Sequence, residues 1–183
     1  MRVKLNDVRI AFCSSVFEPE QYQGKGPFRH SATFLVEPGS ANDKAILSAI
    51  ETEAKAKWPK KWQAMLESMR GNSNKFCYQK GDLKEYDGFQ GLMYIGTHRK
   101  QADGRPLLID QYKNALMPKD GKPYAGCYVN CSFDIYAQDG ENSGMRAGLM
   151  GIQFLRDGDS FGGAGKISED EFDSIEAPSD DLA

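Results

Sequence analysis

The chain has 183 residues, of which 40% are apolar and 27% are charged, so it can bury a core as one domain or as one domain with a tail. It contains no run of about 18 apolar residues, so we expect no apolar spanning helix. The N-terminus alternates between apolar and charged residues, which predicts a strand and not a signal peptide. We therefore expect a cytoplasmic protein with no membrane contact.

The net charge of −3 averages two different regions. Residues 1–166 carry 23 basic and 19 acidic side chains, whereas residues 167–183 carry seven acids and no Lys or Arg. We therefore predict a mildly basic domain over 1–166 and an acidic C-terminal tail over 167–183. Such a tail can compete with nucleic acid for the basic surface or recruit a basic partner, and it is equally typical of a solvated, disordered end.

The first half of the chain predicts two strands followed by a helical insert. Residues 2–12 alternate, but the apolar phase changes at Asn6 and Asp7, which predicts a bulge or kink. A loop over 13–28 precedes a second strand over 29–37. Ser40 or Asn42 then caps a helical insert at about 41–69, in which Pro59 is placed to open a second helix.

The second half predicts several strands joined by turns. A polar connection over 71–91 leads to a third strand over 92–98, and a basic turn over 98–105 leads to a returning strand over 106–109. A long strand over 124–137 and a last strand near 145–155 form a hairpin. The chain is therefore expected to be mainly β, as a Greek-key barrel such as the OB-fold with a helical insert, or as an open β-sandwich.

The strand over 124–137 has one apolar and one polar face. The polar face carries Tyr128 and Tyr136, whose rings suit stacking on unpaired bases, although a half-exposed strand has the same pattern. The apolar face is expected to be core and comprises Cys127, Val129, Cys131, Phe133, Ile135 and Ala137.

The sequence offers little material for catalysis or for metal binding. The glycines around Gly163 lack the spacing and the Ser or Thr of a phosphate loop, and an incipient calcium loop at Asp139 has Met150 where a bidentate Glu is needed. Cys127 and Cys131 lie about 13 Å apart along a strand, too far for a disulfide or a shared ion. We expect buried free thiols, no metal, no cofactor and no enzymatic activity.

Aromatic and basic residues alternate in three segments. Rings stack on bases and Lys or Arg neutralise phosphates, so this pattern favours a single-stranded nucleic acid, although loop aromatics also plug barrel ends. The three groups are Phe17, Tyr22, Lys25, Phe28, Arg29 and His30; Lys75, Phe76, Tyr78 and Lys80; and Tyr94, His98, Arg99, Lys100 and Arg105.

The chain also resembles a known family over nearly its whole length. Phe17-Glu-Pro, His30-Ser-Ala-Thr-Phe-Leu-Val36, Tyr124-Ala-Gly-Cys-Tyr-Val-Asn130 and the Ala147–Gly158 segment are similar to the small bacteriophage OB-fold single-stranded DNA-binding proteins, a family formerly catalogued as a domain of unknown function. The ending from Gly162 to Phe172 is similar as well, whereas 91–96 matches only loosely. The resemblance implies an OB-fold, sequence-independent binding, and a tail that meets replication or recombination partners.

We therefore predict a phage protein that coats single-stranded DNA during replication, recombination or repair, with a second copy of the chain in a homo-oligomer as a further candidate partner. The alternatives are an interaction module that does not bind DNA and, less favoured, a DNA-processing enzyme. Predicted base-stacking rings are Tyr22, Phe28, Tyr78, Tyr94 and Tyr128; predicted phosphate contacts are Arg29, Lys75, Lys80, Arg99, Lys100 and Arg105; the predicted partner-binding tail residues are Glu169, Asp170, Glu171, Phe172 and Asp173.

Overall fold

A computed structural model describes residues 1–161, and the acidic tail predicted over 167–183 lies outside the described residues. The described chain is mainly β, with two α-helices between the third and fourth strands. The elements are β1 (Arg2–Phe12), β2 (Glu20–Tyr22), β3 (Lys25–Val36), α1 (Ala41–Lys57), α2 (Trp62–Met69), β4 (Tyr78–Lys80), β5 (Met93–Lys100), β6 (Leu107–Ile109), β7 (Tyr128–Gln138) and β8 (Gly144–Arg156).

Five of the strands close into a barrel. β1 pairs with β3 and with β7, β7 pairs with β8, and β3 pairs with β5, all antiparallel. The ring is completed by a parallel pairing of β5 with β8, at His98 and Gly148. These five strands, β1, β3, β5, β7 and β8, have one parallel pair among them, β5 with β8. This arrangement is the Greek-key barrel of the OB-fold. The predicted OB-fold is confirmed, and the closed ring excludes the open β-sandwich.

The phase change in β1 is a bulge. The register of β1 against β7 shifts between Leu5 and Val8, and Asp7 has φ 50°. The Asp7 amide donates to Asn130 Oδ1 at 3.0 Å, and its carboxylate accepts from Arg156 at 2.9 Å. The bulge lets odd residues before it and even residues after it face the same core, as the sequence predicted.

The barrel core is built on the apolar face of β7. The five residues of this face from Cys127 to Ile135 are at most 4% exposed, which confirms that they are core. All four cysteines are free thiols, and burial raises the pKa of Cys13 and of Cys77 to about 12, so both stay protonated near neutral pH.

The helical insert packs against β1 and β7. Ser40 Oγ accepts from the Asp43 amide at 3.2 Å and so caps α1, as predicted. The expectation that Pro59 opens the second helix is wrong: residues 59–61 form a turn, and α2 begins at Trp62. The end of α1 is tied to the β7–β8 hairpin because the Trp58 indole donates to Asp139 at 2.7 Å.

Three short strands depart from the expected organisation. β2 and β4 lie inside segments expected to be loops, and each has only three residues, too few to show an alternating pattern. β6 lies where a strand was expected, but it pairs in parallel with β8 instead of returning against β5. Among residues 1–161, no helix is both long and apolar enough to span a bilayer.

Candidate nucleic-acid interface

The outer surface of β3 and β5 forms a trough, defined here as residues Arg29 to Leu35 of β3 and Tyr94 to Lys100 of β5. Alternate residues of both strands face the core, so the residues between them face outward. The outward cross-strand pairs are Arg29 with Lys100, Ser31 with His98, Thr33 with Gly96, and Leu35 with Tyr94.

The middle of the trough is lined by small residues. A Cβ placed on Gly96 would meet no atom of residues 1–161 within 4 Å, so the described part of the chain leaves the space above this glycine open. Ser31 and Thr33 beside it are also small, and both are partly exposed. A flat ligand can therefore approach the backbone of the two strands closely here.

An aromatic cluster stands at the Tyr94 end of the trough. It contains Phe12, Tyr86, Phe89 and Tyr94, whose ring centroids lie 5.1 to 5.7 Å from their neighbours. Phe89 and Tyr94 are buried, whereas Phe12 is 44% and Tyr86 50% exposed. The buried pair thus supports an exposed pair of rings, which are held in place by edge and tilted contacts.

Phe12, Tyr86 and Phe89 are not among the site residues predicted from the sequence. The apolar phase of Val8 and Ile10 predicts that Phe12 faces the core, but a second register shift between Ile10 and Phe12 turns it outward beside Thr33. Tyr86 and Phe89 lie in the loop between β4 and β5, where no periodicity indicates which rings are covered. The high aromatic content of that loop was the available signal.

A hairpin arm, formed by residues 20–29 of β2 and the start of β3, lies at the other end of the trough. β2 pairs with the start of β3, and nearly every residue of this hairpin is exposed. Tyr22 is 73% and Phe28 46% exposed, with Lys25 and Arg29 beside them. The arm joins β1 and β3, the first two strands of the barrel. In OB-folds this loop and the second and third barrel strands, here β3 and β5, form the oligonucleotide-binding face.

Tyr78 is not available for stacking, which corrects its selection as a base platform. Its side chain is 2% exposed, and its hydroxyl donates to Asp43 Oδ1 at 2.7 Å. Burial raises the pKa of Tyr78, and the hydrogen bond to the Asp43 carboxylate raises it further. Tyr78 therefore fastens the helical insert to β4.

Tyr94 also differs from the prediction, because it is 7% exposed and lies beneath Phe89. Lys84 Nζ is 5.9 Å from its ring centroid and covers it further. Tyr94 is thus the support of the aromatic cluster and not a free platform.

The face of Tyr128 is occupied by a guanidinium. Arg156 Cζ lies 3.6 Å from the ring centroid, and Arg9 Cζ lies 5.8 Å from it. A Cβ on Gly158 would come within 2.8 Å of the same ring, so the Gly158 backbone closes one edge. Tyr128 is half-buried between these groups, and a base would have to displace Arg156 to stack on it.

Two of the predicted phosphate contacts have partners within the chain. The Arg99 guanidinium donates to the carbonyls of Asp103, Gly104 and Leu149 and so holds the turn after β5, which corrects its selection as a phosphate contact. Arg105 lies 3.9 Å from Glu18 in an exposed pair, which is weak and easily exchanged. The side chains of Lys75, Lys80 and Lys100 are exposed.

Phe161, the last described residue, lies on the same side of the barrel. Its amide donates to the Ala125 carbonyl at 3.0 Å, and Arg9 Cζ lies 4.1 Å from its ring centroid. A Cβ on Gly88 would come within 2.4 Å of the Phe161 ring, so this ring packs on the loop that carries the aromatic cluster. The tail residues predicted to bind partners, Glu169 to Asp173, lie outside the described residues.

The comparisons with known proteins agree with this architecture. The profile of the family described as the ssDNA-binding protein of Enterobacter phage Enc34 matches residues 1–183. Protein p50 of Acyrthosiphon pisum secondary endosymbiont phage 1 is 42% identical over 178 residues, which cover 96% of this chain and 94% of that protein.

Two solved structures share the fold at low sequence identity. The single-stranded DNA-binding protein from bacteriophage Enc34, in complex with ssDNA, superposes with a TM-score of 0.71 at 19% identity, over 88% of this chain and 89% of that one. The single-stranded DNA-binding protein gp2.5 of bacteriophage T7 superposes with a TM-score of 0.58 at 8% identity, over 96% and 99% of the two chains. The family profile matches this chain from end to end, and the solved family member has the same fold. The chain therefore belongs to the family of the Enc34 ssDNA-binding protein.

Proposed function

We propose that this protein binds single-stranded DNA without sequence preference, along the trough between the aromatic cluster and the hairpin arm. The observation that carries the proposal is the pair of exposed rings of Phe12 and Tyr86, supported from below at one end of an open trough with basic residues at the other. The trough lies on the face that OB-folds use for oligonucleotides, and a family member has been solved with ssDNA.

The proposed base platforms are the exposed rings of the trough and the arm. Phe12 and Tyr86 receive bases at one end, and Tyr22 and Phe28 receive bases at the other. Stacking on a ring contributes about 1–3 kcal/mol per base and accepts any base, because every base has a π-face. The need for unpaired faces restricts the ligand to a single strand.

The proposed phosphate contacts are the exposed basic residues around the trough. They position the DNA backbone and supply the salt-dependent part of the affinity. They comprise Arg29, Lys75, Lys80, Lys100 and Arg105.

The proposed role of the acidic tail is to compete with DNA for this basic face and to recruit replication or recombination proteins. Phe161, the last described residue, packs beside the aromatic cluster, so the described part of the chain ends at the edge of the trough. The acids at 169–173 follow Phe161 by 8 to 12 residues, a reach of up to about 40 Å at roughly 3.5 Å per residue. In this proposal the protein acts in phage DNA replication, recombination or repair.

The test is the anisotropy of a labelled oligo(dT) titrated with the protein at several salt concentrations. Five neutralised phosphates predict a slope of log affinity against log salt of about −3.5, since each contributes roughly −0.7 on a single strand. A mixed-sequence oligonucleotide of the same length should bind with similar affinity. Absence of binding at low salt would overturn the proposal.

A further inference from the structure

A small crevice opens beside the trough, between β5 and the start of β8. It has a volume of about 60 Å³, room for a few water-sized groups. Its polar lining comes from three separate segments of the chain. Ser73 and Cys77 lie on the segment before β4, His98 lies on β5, and Arg146 lies on β8.

Among residues 1–161, two hydrogen bonds hold Arg146 and leave the other N–H groups of its guanidinium without a partner. Its Nη1 donates to the Asn74 carbonyl, and its Nη2 donates to the Asn142 carbonyl at 3.1 Å. A guanidinium has five N–H donors, so these two bonds fix its position without using its full capacity. Such a fixed cation needs little reordering when an anion binds.

His98 faces positive charge from both neighbouring strands. Arg29 on β3 is its diagonal cross-strand neighbour, because Ser31 pairs with His98 and Arg29 points outward two residues earlier. Arg146 stands on the β8 side, and Lys100 follows on β5 itself. Partial desolvation lowers the pKa of His98 below 6.5, and the charges of Arg29 and Arg146 lower it further.

We infer that this crevice is a phosphate subsite, in which Arg146 and His98 bind one backbone phosphate of the strand that lies in the trough. The inference rests on the proposed function and extends it, because neither residue belongs to the phosphate contacts proposed above. The bound phosphate places a negative charge near Arg29 and Arg146, whose positive charges otherwise disfavour protonation of the His98 imidazole. Binding of DNA therefore makes the site proton-linked.

The sign of the linkage follows from reciprocity. A bound phosphate raises the pKa of His98, so protonation of His98 must strengthen DNA binding by the same factor. The additional affinity is fully present below the pKa of the free protein and is lost as the pH rises through the pKa of the complex. If bound DNA raises the pKa of His98 by about one unit, protonation of His98 strengthens the affinity for DNA by at most about tenfold. We therefore expect oligo(dT) to bind about three- to tenfold more tightly at pH 5.5 than at pH 8.

The experiment combines affinity with a direct titration of the imidazole. The chain has only two histidines, His30 and His98, so their ring signals can be separated by NMR. His30 is 3% exposed, and its Nδ1 lies 3.2 Å from the Ser15 carbonyl, which makes it an internal control. Saturating oligo(dT) should raise the pKa of His98, whereas the ring signals of the buried His30 should not respond to the DNA.

Two substitutions at one position complete the test. His98→Gln should remove the pH dependence and bind at pH 5.5 as weakly as the wild type does at pH 8. His98→Arg should also remove the pH dependence but bind tightly at both values, because its charge is permanent. A wild type that binds oligo(dT) with the same affinity at both pH values, with no change in the His98 pKa, would overturn the subsite and leave the proposed function intact. Failure of every variant to bind would overturn both.

Discussion

The substitution Gly96→Leu should block the trough without lowering the stability of the fold. Gly96 lies in the middle of β5 opposite Thr33, its φ is not positive, and a Cβ there meets none of the described residues within 4 Å. Glycine inside a strand costs roughly 0.5–1 kcal/mol relative to alanine, so Gly96→Leu should leave the melting temperature unchanged or slightly raised. The leucine side chain instead occupies the space that a base or sugar needs.

The expected loss of affinity follows from the contacts that the leucine displaces. Displacing one stacked base removes about 1–3 kcal/mol, which corresponds to weakening by about 5- to 150-fold. The assay is oligo(dT) anisotropy beside a thermal melt. Thr52→Leu provides a matched control, because it adds a similar exposed side chain on α1, away from the trough. A folded Gly96→Leu protein that binds within twofold of the wild type would refute the assignment of the trough as the DNA path.

Three further predictions concern the platforms, the insert and the tail. Phe12→Ala and Tyr86→Ala should each weaken oligo(dT) binding by about 1–3 kcal/mol in anisotropy titrations, and unchanged affinity in both would contradict their role as platforms. Tyr78→Phe should lower the free energy of unfolding in urea by about 1–3 kcal/mol, because the buried Asp43 carboxylate loses a donor, while DNA affinity stays the same. Deletion of 167–183 should tighten DNA binding severalfold at low salt, since seven negative charges are removed; equal or weaker binding would argue against competition.

The barrel itself could be predicted because its strands are half-buried. The alternation of apolar and polar residues along β7 identified its core face, since a barrel strand has one side that faces solvent and one that faces the core. The phase change in β1 likewise located the bulge at Asp7, because a bulge is the local way to keep apolar residues on one face. The pairing of β6 with β8 was not accessible, since a three-residue apolar run does not identify its partner.

The site was less accessible than the fold because stacking depends on which faces of a ring are uncovered. Tyr78 and Tyr94 have the same residue type and a similar local context as Tyr22, yet they are 2% and 7% exposed whereas Tyr22 is 73% exposed. Contacts distant in the sequence decide the difference, with Asp43 over Tyr78 and the β4–β5 loop over Tyr94. Basic residues raise the same difficulty, because nothing local shows that Arg99 is bound to carbonyls.

The most direct test of the central claim is a crystal structure of the protein with a short oligo(dT). We predict that the DNA strand crosses the outer surface of β3 and β5 over Gly96, with bases stacked on Phe12 and Tyr86 and a phosphate in the crevice beside His98. An ordered strand bound elsewhere, for example on the outer surface of β7 near Tyr136, would contradict it.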